Sequence, residues 1–393
     1  MAACAGLISP ALPFPSGNYE TVFRDEKELH DHKIAEIKFF TVSIRYPRNV
    51  GRNAIRDNHG TGNTSSACFL RTDQGAEGWG LMEGKKENYT RLSENMTGKQ
   101  ISDLFTVNGG MVATENRGFE IAFFDLAGNI LKKPVYQLLG SPKPIPNKIY
   151  SGMIYLDDLD PSENPGGIDK LLKECAYDYS LGYRQFKLKI GRGKRWMERS
   201  SGDQRDAEVT REISAAFPDC EILVDANDGY SPAGFVNYLK SIEPTRLFWV
   251  EEPFRETPED CRMLRDFMKS GDFNRVLYAD GEASPDFTLM QKLIDNKLID
   301  VILYDILDYG FARWRKLMPE LGKINMLASP HAWGCGIKTR YIVHQSAAYG
   351  NTATIEGVTS FSDDVELSGY KIEKGTILPP DDPGFGMKLL KKI

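Results

Sequence analysis

Short apolar runs recur through the second half of the chain: NKIYSGMIYL, FKLKI, EILVDA, LFWVEE, RVLYADGE, DVILYD, INMLASP and TATIEG. Most are separated by segments whose apolar residues fall three to four apart, as in DAEVTREISAAF (206–217) and PDFTLMQKLIDNKL (285–298). A short apolar run bounded by polar residues predicts a buried strand, and a spacing near 3.6 predicts a helix. Eight strands alternating with helices over about 210 residues predict an α/β fold of the (β/α)8 type, a TIM barrel. An open doubly wound sheet is the alternative. It ranks lower because no Gly-rich fingerprint follows the early strands.

The N-terminal third has a different rhythm. IAEIKFFTVSIRY (34–46) and SACFLRT (66–72) alternate as antiparallel strands, and the polar stretch 48–65 between them reads as one long loop. Helices are expected around 98–106 and 115–132, the second from Phe119, Ala122, Phe123, Leu126 and Ile130. The division expected is an arm at 1–32, an α+β domain at 33–145, the barrel at 146–360, and a segment at 361–393 that returns to the α+β domain.

Composition narrows the partners. The 393 residues carry a net charge of −6 and no basic tract, which argues against nucleic acid. The apolar runs are too short for a membrane span. The start, MAACAGLISPALPFPSG, lacks Lys or Arg and is broken by prolines, so it reads as a covering arm rather than a signal peptide. Six scattered cysteines read as reduced thiols of a cytoplasmic protein, and the five histidines form no HExxH pattern.

Chemistry gathers at the strand ends, where barrel active sites lie. Asp225 and Asn227, Glu251 and Glu252, Asp280 and Glu282, Asp305, His331 and Glu356 each follow an apolar run. A lone acid there is an ordinary helix cap, and Asp280 and Asp308 read that way. Six charged ends of eight are another matter, because charges at a barrel mouth are costly unless paired or metal-bound. Carboxylates on three successive strands make an oxygen-rich site of the kind Mg2+ takes. In FKLKI, Lys187 and Lys189 share one face, and they point into this mouth opposite the histidine of the seventh strand.

The order KLK (187–189), VDAN (224–227), VEEP (250–253), GE (281–282), YD (304–305), SPH (329–331) and IEG (355–357) resembles the enolase superfamily, specifically its mandelate racemase subgroup. FEIAFFDLAGNILKKPVYQLLGS (119–141) is similar to that family's last capping-domain helix, and TILPPDDPGFGM (376–387) to its C-terminal segment. The resemblance implies an enolase-like modified barrel with an N-terminal capping domain. It implies one Mg2+ per active site on Asp225, Glu251 and Glu282. Lys189 is then the base on one face of the substrate, and Lys187 binds the carboxylate and lowers the pKa of Lys189. His331, paired with Asp305, is the acid/base on the other face, Glu356 hydrogen-bonds the enolate, and Asn227 lies near metal or substrate. Arg52, Asn53, Arg56 and His59 fall in the loop that closes over the family's site, and with Trp333 they are the expected substrate-binding set. The loop after KLKIG (191–205) is longer than the family's.

The expected reaction is abstraction of the proton alpha to a carboxylate, giving an enediolate. The polar closing loop favours dehydration of a sugar acid to a 2-keto-3-deoxy acid. Racemisation or epimerisation of a 2-hydroxy acid, and cycloisomerisation of a sugar acid, are the alternatives. A non-catalytic binder would not need the acid/base groups, and a Schiff-base aldolase would not need the metal triad. The expected partners are a small-molecule carboxylate and further copies of the chain in a homo-oligomer.

Overall fold

The computed structural model describes residues 27–84, 86–367 and 369–393, so most of the expected arm lies outside the described residues. The N-terminal part is a three-stranded antiparallel sheet of Ile34–Val50, Gly60–Thr72 and Glu77–Leu81, in that order. Val42, Ile44 and Tyr46 alternate inward while Thr41, Ser43 and Arg45 face out. The helix Glu120–Leu131 packs on this sheet. Its buried Asp125 accepts from Trp79 N at 3.0 Å and from Phe385 N at 2.9 Å, tying helix, sheet and C-terminal segment together.

Two expectations need correction here. The stretch 48–65 is not one loop: both strands run on until Val50 pairs with Gly60, leaving only residues 51–59 between them. Backbone pairing makes no demand for apolar side chains, so the Thr, Ser and Asn residues of 60–66 form a half-exposed strand that polarity alone had disguised. The helix expected at 98–106 is a single turn, Ile101–Leu104, and an unanticipated helix, Thr90–Met96, precedes it.

The second part is a closed barrel. Seven parallel strands follow in order: Asn147–Ile154, Gln185–Lys189, Glu221–Asp225, Leu247–Glu251, Leu277–Asp280, Val301–Ile302 and Leu327–Ala328. The eighth, Ile355–Gly357, pairs in parallel with the first, and an Ala328–Thr352 bridge joins its approach to the seventh. Capping residues start several outer helices. Ser231 accepts from Gly234 N ahead of Pro232, Thr257 accepts from Asp260 N ahead of Pro258, and Asp286 accepts from Thr288 N and Leu289 N.

Inside the barrel, Tyr150, Leu223, Trp249, Ala279, Val301 and Leu303 form an apolar floor. Register then fixes what lies above it. Lys187 pairs with Leu223 and Lys189 with Asp225, while Leu223 pairs with Trp249 and Asp225 with Glu251. On the third and fourth strands one two-residue step thus leads from the floor to a charged layer, and on the second strand Lys187 already lies level with Leu223. The C-terminal segment reaches back to the first sheet, where Met387 O accepts from Trp79 Nε1 at 3.2 Å and Thr41 O from Lys391 Nζ at 2.7 Å. Among the described residues, Cys68, Cys175, Cys220, Cys261 and Cys335 are free and buried, and no helix is long and apolar enough to cross a membrane.

Candidate active site

The two lysines of FKLKI are not on a solvated face. Their side chains are 1% and 4% exposed, with Phe186, Leu188 and Ile190 buried on the opposite side of the strand. Lys187 Nζ lies 2.9 Å from Glu251 Oε1, 3.2 Å from Asp225 Oδ2 and 3.5 Å from Glu356 Oε1. Lys189 Nζ donates to Asp225 Oδ2 and sits 5.5 Å above the Tyr155 ring.

Asp225, Glu251 and Glu282 offer oxygens that all lie within 4.8 Å of one another. The first two end adjacent strands in register. Glu282 follows the fifth strand through Gly281, whose φ of +105° is left-handed and where a Cβ would meet Met290 Cε and Tyr304 Cε1 at 3.0 Å. Glu251 Oε2 and Glu282 Oε2 are buried without a hydrogen-bond donor from the protein. Clustered hard oxygens with orphaned lone pairs fit a small divalent cation. Burial, then Asp225, pushes Glu251 well above the carboxylate range. Burial also raises Glu282, but His331 and Lys189 outweigh it and hold Glu282 well below that range.

His331 meets this cluster at its Glu282 end. Its Nδ1 lies 3.1 Å from Asp305 Oδ2, and its Nε2 lies 3.1 Å from Glu282 Oε1 and 3.8 Å from Glu356 Oε2. Burial disfavours the imidazolium, yet Glu282 and Glu356 outweigh it, so the pKa of His331 rises well above 6.5. Glu356 accepts from Ala332 N at 2.5 Å. Asp305 is raised by burial, but Lys338 and His331 outweigh this and hold it well below the carboxylate range.

The expected lowering of Lys189 by Lys187 does not hold as a net effect. Burial and Lys187 both press its pKa down, but Asp225 is the nearer charge, and the direction is up. Asp280 does not cap a helix, because Asp286 caps the one that follows. Asp280 is 2% exposed, and burial followed by Glu252 pushes it well above the carboxylate range. Burial followed by Glu282 raises Glu252 to about 8, and Glu252 accepts from Ala283 N. Asn227 is buried in a left-handed conformation at φ +43°; its N–H donates to Asp225 Oδ1, and its own Oδ1 has no partner.

The expected substrate-binding residues separate into two groups. His59 and Trp333 come together, with ring centroids 5.5 Å apart, and Tyr155 lies 4.7 Å from His59 and 4.9 Å from Trp333. Tyr46 extends this wall 5.8 Å beyond Trp333. His59 Nδ1 donates to Gly51 O at 2.6 Å, and burial lowers its pKa to about 4, so the ring is neutral. Arg52 and Asn53 instead build the loop. Arg52 lies 4.7 Å over the Trp196 ring, and Asn53 Oδ1 accepts from Ile55 N and Arg56 N. Arg56 is exposed. Tyr155 and Lys338 are contributors that sequence reasoning missed. Tyr155 directly follows the first barrel strand, a position that signals the mouth, whereas a lysine within the helical stretch GIKTR carries no such signal.

Residues 170–393 match the family described as enolase C-terminal domain-like. The arabinonate dehydratase of Saccharolobus solfataricus is 25% identical over 282 residues, 68% of each chain. A galacturonate dehydratase from Geobacillus sp., solved with D-galacturonate and 5-keto-4-deoxy-D-galacturonate, is 29% identical with a TM-score of 0.85, covering 92% of this chain and 95% of that one. A variant of a Geobacillus sp. galacturonate dehydratase solved with Mg is 28% identical at the same TM-score, covering 92% of this chain and 93% of that one. With the family match spanning more than half of its length, this chain belongs to the enolase superfamily, in the mandelate racemase group, and is an enzyme.

Proposed function

We propose that the protein is a Mg2+-dependent sugar-acid dehydratase. It removes the proton alpha to a carboxylate and expels the beta-hydroxyl as water. The observation that carries the proton-abstraction chemistry is the pair of proton-transfer groups that meet one carboxylate cluster from two ends, Lys189 at Asp225 and His331 at Glu282; dehydration is favoured because the similar arabinonate and galacturonate enzymes are dehydratases. In this reading residues 33–145 cap the barrel at 146–360, and 361–393 return to the cap.

Asp225, Glu251 and Glu282 would hold one Mg2+, which supplies positive charge where the enediolate develops and relieves the carboxylate pull on Lys189. Lys189 Nζ takes the alpha proton, and the electron pair moves into the carboxylate. Lys187 holds that carboxylate, and Glu356 hydrogen-bonds the enediolate. His331 Nε2 gives its proton to the beta-oxygen as the C–O bond breaks, and the resulting enol ketonises to a 2-keto-3-deoxy acid. Asn227, whose Oδ1 has no partner, would lie near the metal or substrate.

The loop's polar groups are largely spent on the loop itself, so the wall of His59, Trp333 and Tyr155 is what supports a substrate class. It suits an acid that lays a C–H face on aromatic rings, which makes hexuronic acids of the kind the Geobacillus enzyme was solved with the first to try. The same two proton-transfer groups would equally serve an epimerase that returns the proton to the opposite face. A panel of aldonic, aldaric and uronic acids with Mg2+ in D2O separates the two. Keto-acid formation, read with semicarbazide, is expected. Alpha-proton exchange and epimer formation without loss of water would overturn dehydration.

A further inference from the structure

We propose that Lys338 is a positioning residue for His331, acting through Asp305. As a catalytic effect this rests on the dehydratase reading above. Lys338 Nζ donates to Asp305 Oδ2 at 2.8 Å, the same oxygen that accepts from His331 Nδ1 at 3.1 Å. The other oxygen, Oδ1, accepts from Leu307 N at 2.8 Å and Asp308 N at 3.2 Å. Four donors thus fill the carboxylate and leave it one orientation. Lys338, Asp305 and His331 are 17%, 10% and 14% exposed, so water competes little for these bonds.

The placement of Lys338 is costly without Asp305. It lies in the first turn of the helix Gly336–Tyr349, where the helix dipole disfavours a cation. Burial also opposes its charge, and Asp305, with a smaller contribution from Asp308, outweighs burial. Lys338 touches neither the carboxylate cluster nor the aromatic wall in any described contact. Its consequence is geometric: it fixes the Asp305 carboxylate in the plane that keeps the proton on His331 Nδ1 and aims Nε2 at the Glu282 side of the mouth.

The first test needs no substrate. In the Mg2+-saturated full chain, the His331 Nδ1–H proton is assigned by its loss in His331→Asn and then followed in Lys338→Met and Lys338→Arg. We expect it to shift or broaden in Lys338→Met and to return in Lys338→Arg, with the His344 ring proton unmoved as a control. An unchanged His331 proton in Lys338→Met overturns the proposal.

The second test uses D-galacturonate, or the acid of the panel that is turned over fastest. Lys338→Met is expected to slow loss of water about 10- to 100-fold while deuterium incorporation at the alpha carbon, which uses Lys189 and not the His331 proton, persists; Lys338→Arg restores most of the loss. A parallel fall in both rates marks a merely structural residue and overturns the proposal. If the wild-type chain neither dehydrates nor exchanges any acid, the dehydratase reading fails, and the proton resonance still decides the role of Lys338.

Discussion

The amine that the proposed reaction asks to accept a proton, Lys189, is held here against a carboxylate that keeps it charged. The Lys189–Asp225 contact is therefore a resting arrangement, and a cation at the carboxylate cluster is what would free the amine. Lys189→Ala and His331→Asn should each lower kcat by about 10²- to 10⁴-fold, with circular dichroism and Tm near wild type. Full activity in either would remove the residue from the chemistry. Most of this site was legible because strand periodicity is strict: once FKLKI is a strand, both lysines share a face, and register delivers Asp225 and Glu251 beside them. The net charge balance was not legible. Spacing shows that Lys187 is near Lys189, but not that Asp225 is nearer. Lys338 was hidden for a related reason, since its partner Asp305 lies 33 residues away and no local pattern links them.

Between elements, the long segment after the second barrel strand has a definite job. Trp196 Nε1 donates to Asn53 O at 2.6 Å, and Arg195 donates to Ile55 O at 2.5 Å. Lys194 reaches the turn beyond Asp225, donating to Asn227 O and Asp228 O. The segment starts at Gly191, whose φ is +91° and where a Cβ would meet Ala54 Cβ at 2.9 Å. It therefore fastens the 51–59 loop to the barrel mouth. Trp196→Ala removes a hydrogen bond and the cation–π contacts with Arg52 and Arg195, together worth about 1–2 kcal/mol. KM should rise about 5- to 30-fold with kcat nearly unchanged; an unaltered KM in steady-state kinetics would show that the fastening does not matter for binding. The sequence displayed this segment only as extra length with many basic residues. Its hydrogen-bond partners in the 51–59 loop and in the turn beyond Asp225 are backbone carbonyls, which no side-chain pattern announces.

At the scale of the whole molecule, the order of strands and helices was legible from hydrophobic rhythm alone, whereas the closing of the ring depends on the Ala328–Thr352 bridge, too short to leave a pattern. Two predictions belong to this scale. If the carboxylate cluster binds Mg2+ only when folded, saturation at about 100 times Kd stabilises by about 2.7 kcal/mol, so chelation should lower Tm by several degrees and readdition should restore it. The second concerns His344, fully buried where its helix meets Tyr136 and the C-terminal segment. Its Nδ1 accepts from Tyr136 N, and its Nε2 donates to Tyr370 Oη. Burial lowers its pKa from 6.5 to about 3. The unfolded chain therefore takes up a proton near pH 6.5 that the folded chain refuses until about pH 3, and stability falls as pH drops through that window. Denaturant melts should lose about 1.4 kcal/mol per pH unit there from this residue, and His344→Gln should flatten that slope.

The fastening of the 51–59 loop also bears on how this enzyme can be altered or inherited. Two segments more than a hundred residues apart in the chain form one working part, so neither is transferable alone. A chimera that imports only the loop from a relative would leave Trp196 and Arg195 reaching for carbonyls that have moved. Changes of specificity in this lineage should therefore arrive as paired substitutions, one on each side of the seam.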